Sequence, residues 1–137
     1  MSDHDASTHP LLRGLNEPQQ MAVRHVRGPL LILAGAGSGK TTVITRRLAW
    51  LVEEEGVRPG QILAVTFTNK AAEEMRERVQ RLVSVPVAQL WVSTFHSFCT
   101  RILRREGERT PVGRDFVIFD PSDQKSLIKQ VLTELKL

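Results

Sequence analysis

At 137 residues the chain suits one domain and is too short for two full ones. Its 41% apolar and 25% charged residues are an ordinary globular balance, and no apolar stretch approaches the roughly 18 residues that span a bilayer. The net charge of +4, from 19 Lys plus Arg against 15 Asp plus Glu, hints at a polyanionic partner.

Residues 1–12, opening "MSDHDASTHP", are polar, without periodicity and without the basic and apolar regions of a signal peptide, which predicts a disordered leader. A helix is expected next, with Asn16 as N-cap, Glu17 in the first turn and Pro18 tolerated there, ended by Gly28-Pro29. "LLIL" (30–33) is four apolar residues between Pro and Gly, the pattern of a strand buried on both faces.

Residues 40–54 predict a helix with Ile44, Leu48 and Leu51 on one face and Gly56 past its end. "QILAVTFT" (61–68) predicts a strand. "NKAAEEMRERVQRLV" predicts a helix burying Ala72, Met75, Val79 and Leu82, with Glu74–Arg78 and Glu77–Arg81 pairs on its wet face. "QLWVSTF" (89–95) predicts another strand, followed by a helix with Phe95, Phe98 or Cys99, and Ile102 on one side. "DFVIFD" reads as a short fourth strand, and Asp120 with Pro121 as the cap and first residue of a last helix.

Alternation of strands and helices predicts an α/β fold with a parallel sheet and right-handed crossovers, in which ligands bind at the carboxyl ends of strands. "AGAGSGKT" (34–41) stands at such an end. Gly35, Gly37 and Gly39 allow successive N–H groups to converge on one anion, and the following helix adds the positive end of its dipole. Lys40 supplies a charge for the β- and γ-phosphates, and the Thr41 hydroxyl suits Mg²⁺. The alternative is a helix-capping turn with an incidental lysine. Position 34 is Ala where the common pattern has Gly, which is tolerable if that residue ends the strand with ordinary angles.

Four blocks in register carry a resemblance to the UvrD/PcrA/Rep-type superfamily 1 DNA helicases, running from Leu15 to near Leu137. "LNEPQQMAV" is similar to the family's Q motif, and "AGAGSGKT" is the family's form of the phosphate loop, with alanine at its start. "AVTFTNKAAEEMRER" looks like motif Ia, and "VSTFHSFCTRIL" like the next DNA-contacting motif. The resemblance implies the N-terminal part of a P-loop NTPase, RecA-like domain over 13–114, its parallel sheet incomplete, with 115–137 starting an inserted helical subdomain.

It further implies an ATP-dependent 3′-to-5′ DNA helicase or translocase using ATP and Mg²⁺, cytoplasmic as the lone Cys99 also suggests. The nucleotide would be bound by Gln19, Ala34, Gly35, Ala36, Gly37, Ser38, Gly39, Lys40, Thr41 and Thr42. Lys40 and Thr41 are the catalytic candidates, and Thr41 the Mg²⁺ ligand. The amide of Gln19 donates and accepts together, which matches the N6/N7 edge of adenine; otherwise it is a surface glutamine.

Thr66, Phe67, Thr68, Asn69, Lys70, Thr94 and His96 are the candidates for contact with single-stranded DNA and single-strand/duplex junctions. Ser93 stands with Thr94 and His96 at the same turn. Phe67 is either a stacking platform for a base or a core ring at a strand end. Arg101, Arg105 and Arg109 form a stripe that either tracks phosphate or is a solvated face. No structural metal and no membrane partner are expected, and protein partners are not indicated.

Two departures accompany the likeness. Thr42 stands where many relatives have arginine, and no apolar strand ends in Asp-Glu, since the Asp120 that follows "FVIF" reads as a cap. A non-catalytic ATP- and single-stranded-DNA-binding fragment is therefore the alternative reading. The front of a helicase–nuclease is a third, and a nucleotide kinase lacks its substrate motifs.

Overall fold

Two parallel strands and the helices around them form the ordered frame in a computed structural model that describes residues 9–35 and 37–136. In chain order the elements are α1 (Glu17–Arg24), α2 (Lys40–Glu53), β1 (Leu63–Thr66), α3 (Asn69–Gln80), β2 (Trp91–Thr94), α4 (Phe95–Glu106) and α5 (Pro121–Glu134). Short 3-10 turns lie at 59–61, 87–89 and 107–109. Two compact units result, one up to Phe98 and one from Cys99 onward.

In the first unit, α1 starts where the sequence places it. Asn16 accepts from the Gln19 backbone N–H, and the Gln19 side chain accepts from the Asn16 N–H, a reciprocal capping box. The strands pair in parallel with Leu63 opposite Trp91 and Thr66 opposite Thr94. Residues between them must cross over, and α3 does so with Ala72, Met75 and Val79 turned inward. Met75 and Val79 meet Leu48 and Ala49 of α2, Leu90 just before β2 and Val92 within it to form the main core. Val79 is completely buried, which stabilises by about 1.5–3 kcal/mol.

A second cluster joins Leu12, Ala22, Val23 and Val43 beneath α1 and α2. Of the expected leader 1–12, residues 1–8 lie outside the described residues, whereas Leu11 and Leu12 are buried. Arg46 holds this start by donating to the backbone carbonyls of Leu11 and Arg13. Arg47 donates to the Ala22 carbonyl at 2.7 Å, and burial there pushes its guanidinium below its ordinary value. Glu74 and Arg78 make their i,i+4 pair at 2.9 Å, while Glu77 and Arg81 make none.

Two expected strands do not form. "LLIL" pairs with nothing among the described residues, and all four side chains are exposed, Leu31 and Leu33 at 80% and 85%. A strand buried on both faces needs neighbours at its edges, and β1 is bonded only to β2. Between this segment, α2 and β1 lies an apolar groove of about 670 Å³, lined by Leu30, Ile32, Ile44, Leu63 and Val65 among others. Of the expected Ile44, Leu48, Leu51 stripe, Leu48 is buried and Leu51 packs against the core, whereas Ile44 faces the groove and α2 buries Val43 and Ala49 as well. "DFVIFD" is likewise no strand, with Val117, Ile118 and Phe119 exposed and unladdered.

The second unit ends in α5, whose Leu127, Ile128, Val131, Leu132 and Leu135 are exposed. Its start is held by Asp120, which accepts from the N–H groups of Ser122 and Asp123, while the Asp123 carboxylate accepts from the Asp120 N–H. Those bonds, that of Asp123 foremost, hold the Asp120 carboxyl below the usual carboxylate range. The cap's contribution is therefore whole above the ordinary Asp value of about 3.9 and fades as pH falls through the lower folded value. Asp120→Ala should reduce helical circular dichroism at neutral pH, and the further loss on acidification should be smaller in the variant than in the wild type, since only the Asp123 carboxylate then remains at the start of α5.

Candidate functional site

The N-terminus of α2 has no side-chain cap, so the N–H groups of its first turn lack intrahelical partners. Gly39 is its N-cap at φ 81°, and Gly37 precedes it at φ 74°, both in the left-handed region. A Cβ at Gly39 would meet the Gln19 Nε2 at 3.3 Å in a conformation that costs an L-residue about 1–2 kcal/mol. The chain is thus bent around a helix end that presents free donors.

Lys40 folds back over this bend. Its Nζ donates to the Ala34 carbonyl at 2.9 Å and to that of Gly35. The Ser38 hydroxyl also donates to Gly35, at 2.6 Å. The cation therefore rests on neutral carbonyls, and an arriving anion offers it a stronger, charge-assisted partner. Thr41, in the first turn, is exposed.

Gln19 reaches the same place from α1. With its oxygen engaged in the capping box, its Nε2 donates to the Ser38 carbonyl at 3.1 Å. Asn16, Gln19, Ile32, Ala34, Ser38 and Lys40 are among the residues around a pocket of about 300 Å³. Most of the residues named for nucleotide binding are thereby brought together; Ala36 lies outside the described residues. Sequence reasoning missed that the amide of Gln19 already has two partners. Asn16, spaced as the other half of a capping box, carried that information.

A second cluster forms at the carboxyl ends of the strands. Phe67 is 89% exposed, which removes the core reading of this ring. Because Thr66 and Thr94 are in register, the next residues stand side by side, and the Phe67 and Phe95 rings lie 5.5 Å apart at 43°. Sequence reasoning took Phe95 for the apolar face of a helix; only the register pairs it with Phe67. Thr68 caps α3 by accepting from Ala71, and Thr66 donates to the Thr68 carbonyl. Asn69, Lys70 and His96 are exposed.

Thr94 differs from the other candidates. It is 5% exposed, donates to the Ser97 hydroxyl at 2.9 Å and accepts from the Ser97 N–H. It shapes the turn into α4 and offers no surface to a ligand. Of the arginine stripe, Arg105 and Arg109 are exposed and both stand near Glu106. Among the described residues no three His, Cys, Asp or Glu side chains gather as a metal set, and no helix is long and apolar enough to cross a membrane.

Residues 15–137 match the family described as the UvrD/REP helicase N-terminal domain. Among curated relatives, the ATP-dependent DNA helicase PcrA of Staphylococcus aureus (strain Mu50 / ATCC 700699) is 57% identical over 122 residues, 89% of this chain. The PcrA of Staphylococcus epidermidis (strain ATCC 12228 / FDA PCI 1200) shows the same identity over the same length. The chain spans 17% of the length of either relative.

Phe67→Ala should leave the unfolding free energy from a urea titration within about 0.5 kcal/mol of wild type, since the ring is exposed. A core ring would cost about 3–5 kcal/mol in the same titration.

Proposed function

Because the chain belongs to the UvrD/REP helicase family, we propose that it is the ATP- and single-stranded-DNA-binding front of a 3′-to-5′ DNA helicase. Residues 13–114 then begin a RecA-like P-loop domain, and 115–137 an inserted helical subdomain. The observation that carries the reading is the uncapped α2 terminus, with Lys40 folded over it and Gln19 at its rim.

The β- and γ-phosphates would take the N–H groups of the α2 first turn and draw Lys40 from the Ala34 and Gly35 carbonyls. Adenine would lie toward Gln19, in the pocket that reaches Asn16 and Ile32. Thr41 fits one ligand position of Mg²⁺ by its exposed hydroxyl, with phosphate oxygens and waters making up the rest. Mg²⁺ would supply charge neutralisation at those phosphates. Thr42 would line the same turn without the charge an arginine brings.

Single-stranded DNA would cross the strand ends. Phe67 and Phe95 offer exposed rings for bases, while the exposed Asn69, Lys70 and His96 would meet phosphates. Thr66, Thr68 and Thr94 serve by holding those turns. A strand/duplex junction would be the substrate of the whole motor, working in the cytoplasm.

Within these 137 residues, binding without appreciable turnover is the second reading. Phosphoryl transfer needs a positioned water and neutralised transition-state charge, and no apolar strand here ends in the acidic pair that would help supply them.

Lys40→Ala should abolish most ATP binding in a calorimetric titration with an unchanged melting curve; equal binding by both proteins would defeat the nucleotide site. Phe67→Ala should weaken single-stranded DNA binding by about 1–3 kcal/mol, nearly independent of base, while ATP binding stays as in wild type. Fluorescence anisotropy with homopolymeric oligonucleotides reads the first, calorimetry the second.

A further inference from the structure

The end of α4 and the turns after it carry five arginines and no lysine between residues 101 and 114, against two glutamates. On an ordinary solvated helix face such side chains splay into water. Here the backbone returns on itself. Gly107 is buried, and a Cβ on it would stand 2.1 Å from the Gly113 carbonyl oxygen. Only glycine lets the two segments touch. Hydrogen bonds from Thr110 N–H to the Gly107 carbonyl and from Gly113 N–H to the Thr110 carbonyl close the return.

That return sets Arg114 beside the helix end. Arg104 donates to the Arg114 carbonyl at 2.5 Å, and its guanidinium lies 4.1 Å over the Phe116 ring. Arg114 pairs with Glu108 at 3.1 Å. The outcome is a hollow of about 450 Å³ lined by Arg104, Arg105, Glu106, Glu108, Arg109 and Arg114. Its four guanidinium groups exceed its two carboxylates by two charges. Arg105 and Arg109 share the single carboxylate of Glu106 at 3.4 and 3.7 Å, with side chains 73% and 85% exposed. Such pairs are weak in water and are readily exchanged for a better anion.

We propose that this arginine-lined hollow holds the phosphodiester backbone of DNA, as a contact additional to the turns at 66–70 and 93–96. Planar forks suit phosphate bidentately, and that of Arg104 is fixed in advance by the Arg114 carbonyl and the Phe116 ring. No exposed ring lines the hollow, so it would read charge without reading bases. The inference rests on the DNA-binding reading given above.

The test is the salt dependence of binding by Arg105→Ala/Arg109→Ala, measured separately on a single-stranded oligonucleotide and on a duplex. The log–log slope should fall by about 1.4 on the single strand or about 1.8 on the duplex, from roughly 0.7 or 0.9 per phosphate contact. A control that removes the same charge elsewhere, Lys125→Ala/Lys129→Ala, should keep the wild-type slope. Both arginines are exposed, so circular dichroism should show an unchanged fold. Wild-type slopes on both probes, or an equal fall in the lysine control, would overturn the proposal while the DNA-binding reading stands. A wild type that binds neither probe would overturn both.

Discussion

Parallel strands cannot be closed by a tight hairpin, and the first unit is organised around that constraint. The chain leaving β1 must travel back before β2 can begin, and α3 makes the return journey. Its Met75 and Val79 are pressed between α2 and the sheet, so the same contacts that bury the helix fix the strand register. Register in turn decides what stands at the strand ends. Thr66 opposite Thr94 is a backbone fact, and the juxtaposed Phe67 and Phe95 rings are its surface expression.

The glycine-rich bend before α2 obeys a different logic. Among its described residues, two left-handed glycines and a backbone hydrogen bond from Ser38 to Gly35 set its path, and its other ties are polar: the Lys40 and Ser38 side chains to nearby carbonyls, Gln19 from across the pocket. Carbonyls are adequate partners for an ammonium group but poorer ones than a phosphate. A bend whose charge is satisfied only by carbonyls is one that an anion reorganises at small cost.

Residues with local chemistry were legible in the sequence. The caps at Asn16 and Asp120, the helix of 40–54, the inward Ala72, Met75 and Val79, and the strand–crossover–strand order all follow from short-range pattern. What escaped depends on neighbours. "LLIL" and "DFVIFD" have the composition of strands, yet a strand exists only where another offers it hydrogen bonds, and composition does not report that. Thr94 is polar at a turn, like its exposed neighbours, but tertiary packing turns its hydroxyl onto Ser97. Phe67 could be resolved only by its exposure. At the pocket, the glycines that bend the chain ahead of α2 were legible, whereas the second occupation of the Gln19 amide needed the fold.

The double engagement of Gln19 makes α1 and the loop thermodynamic neighbours. One side-chain amide secures the first turn of a helix with its oxygen and a loop carbonyl with its nitrogen. Any partner that competes for that amide loosens one of the two, and linkage makes the effect mutual: whatever firms the helix start changes the partner's affinity by the same factor. The first turn of an eight-residue helix and the rim of the pocket thus share one side chain, and neither can change its hydrogen bonding alone.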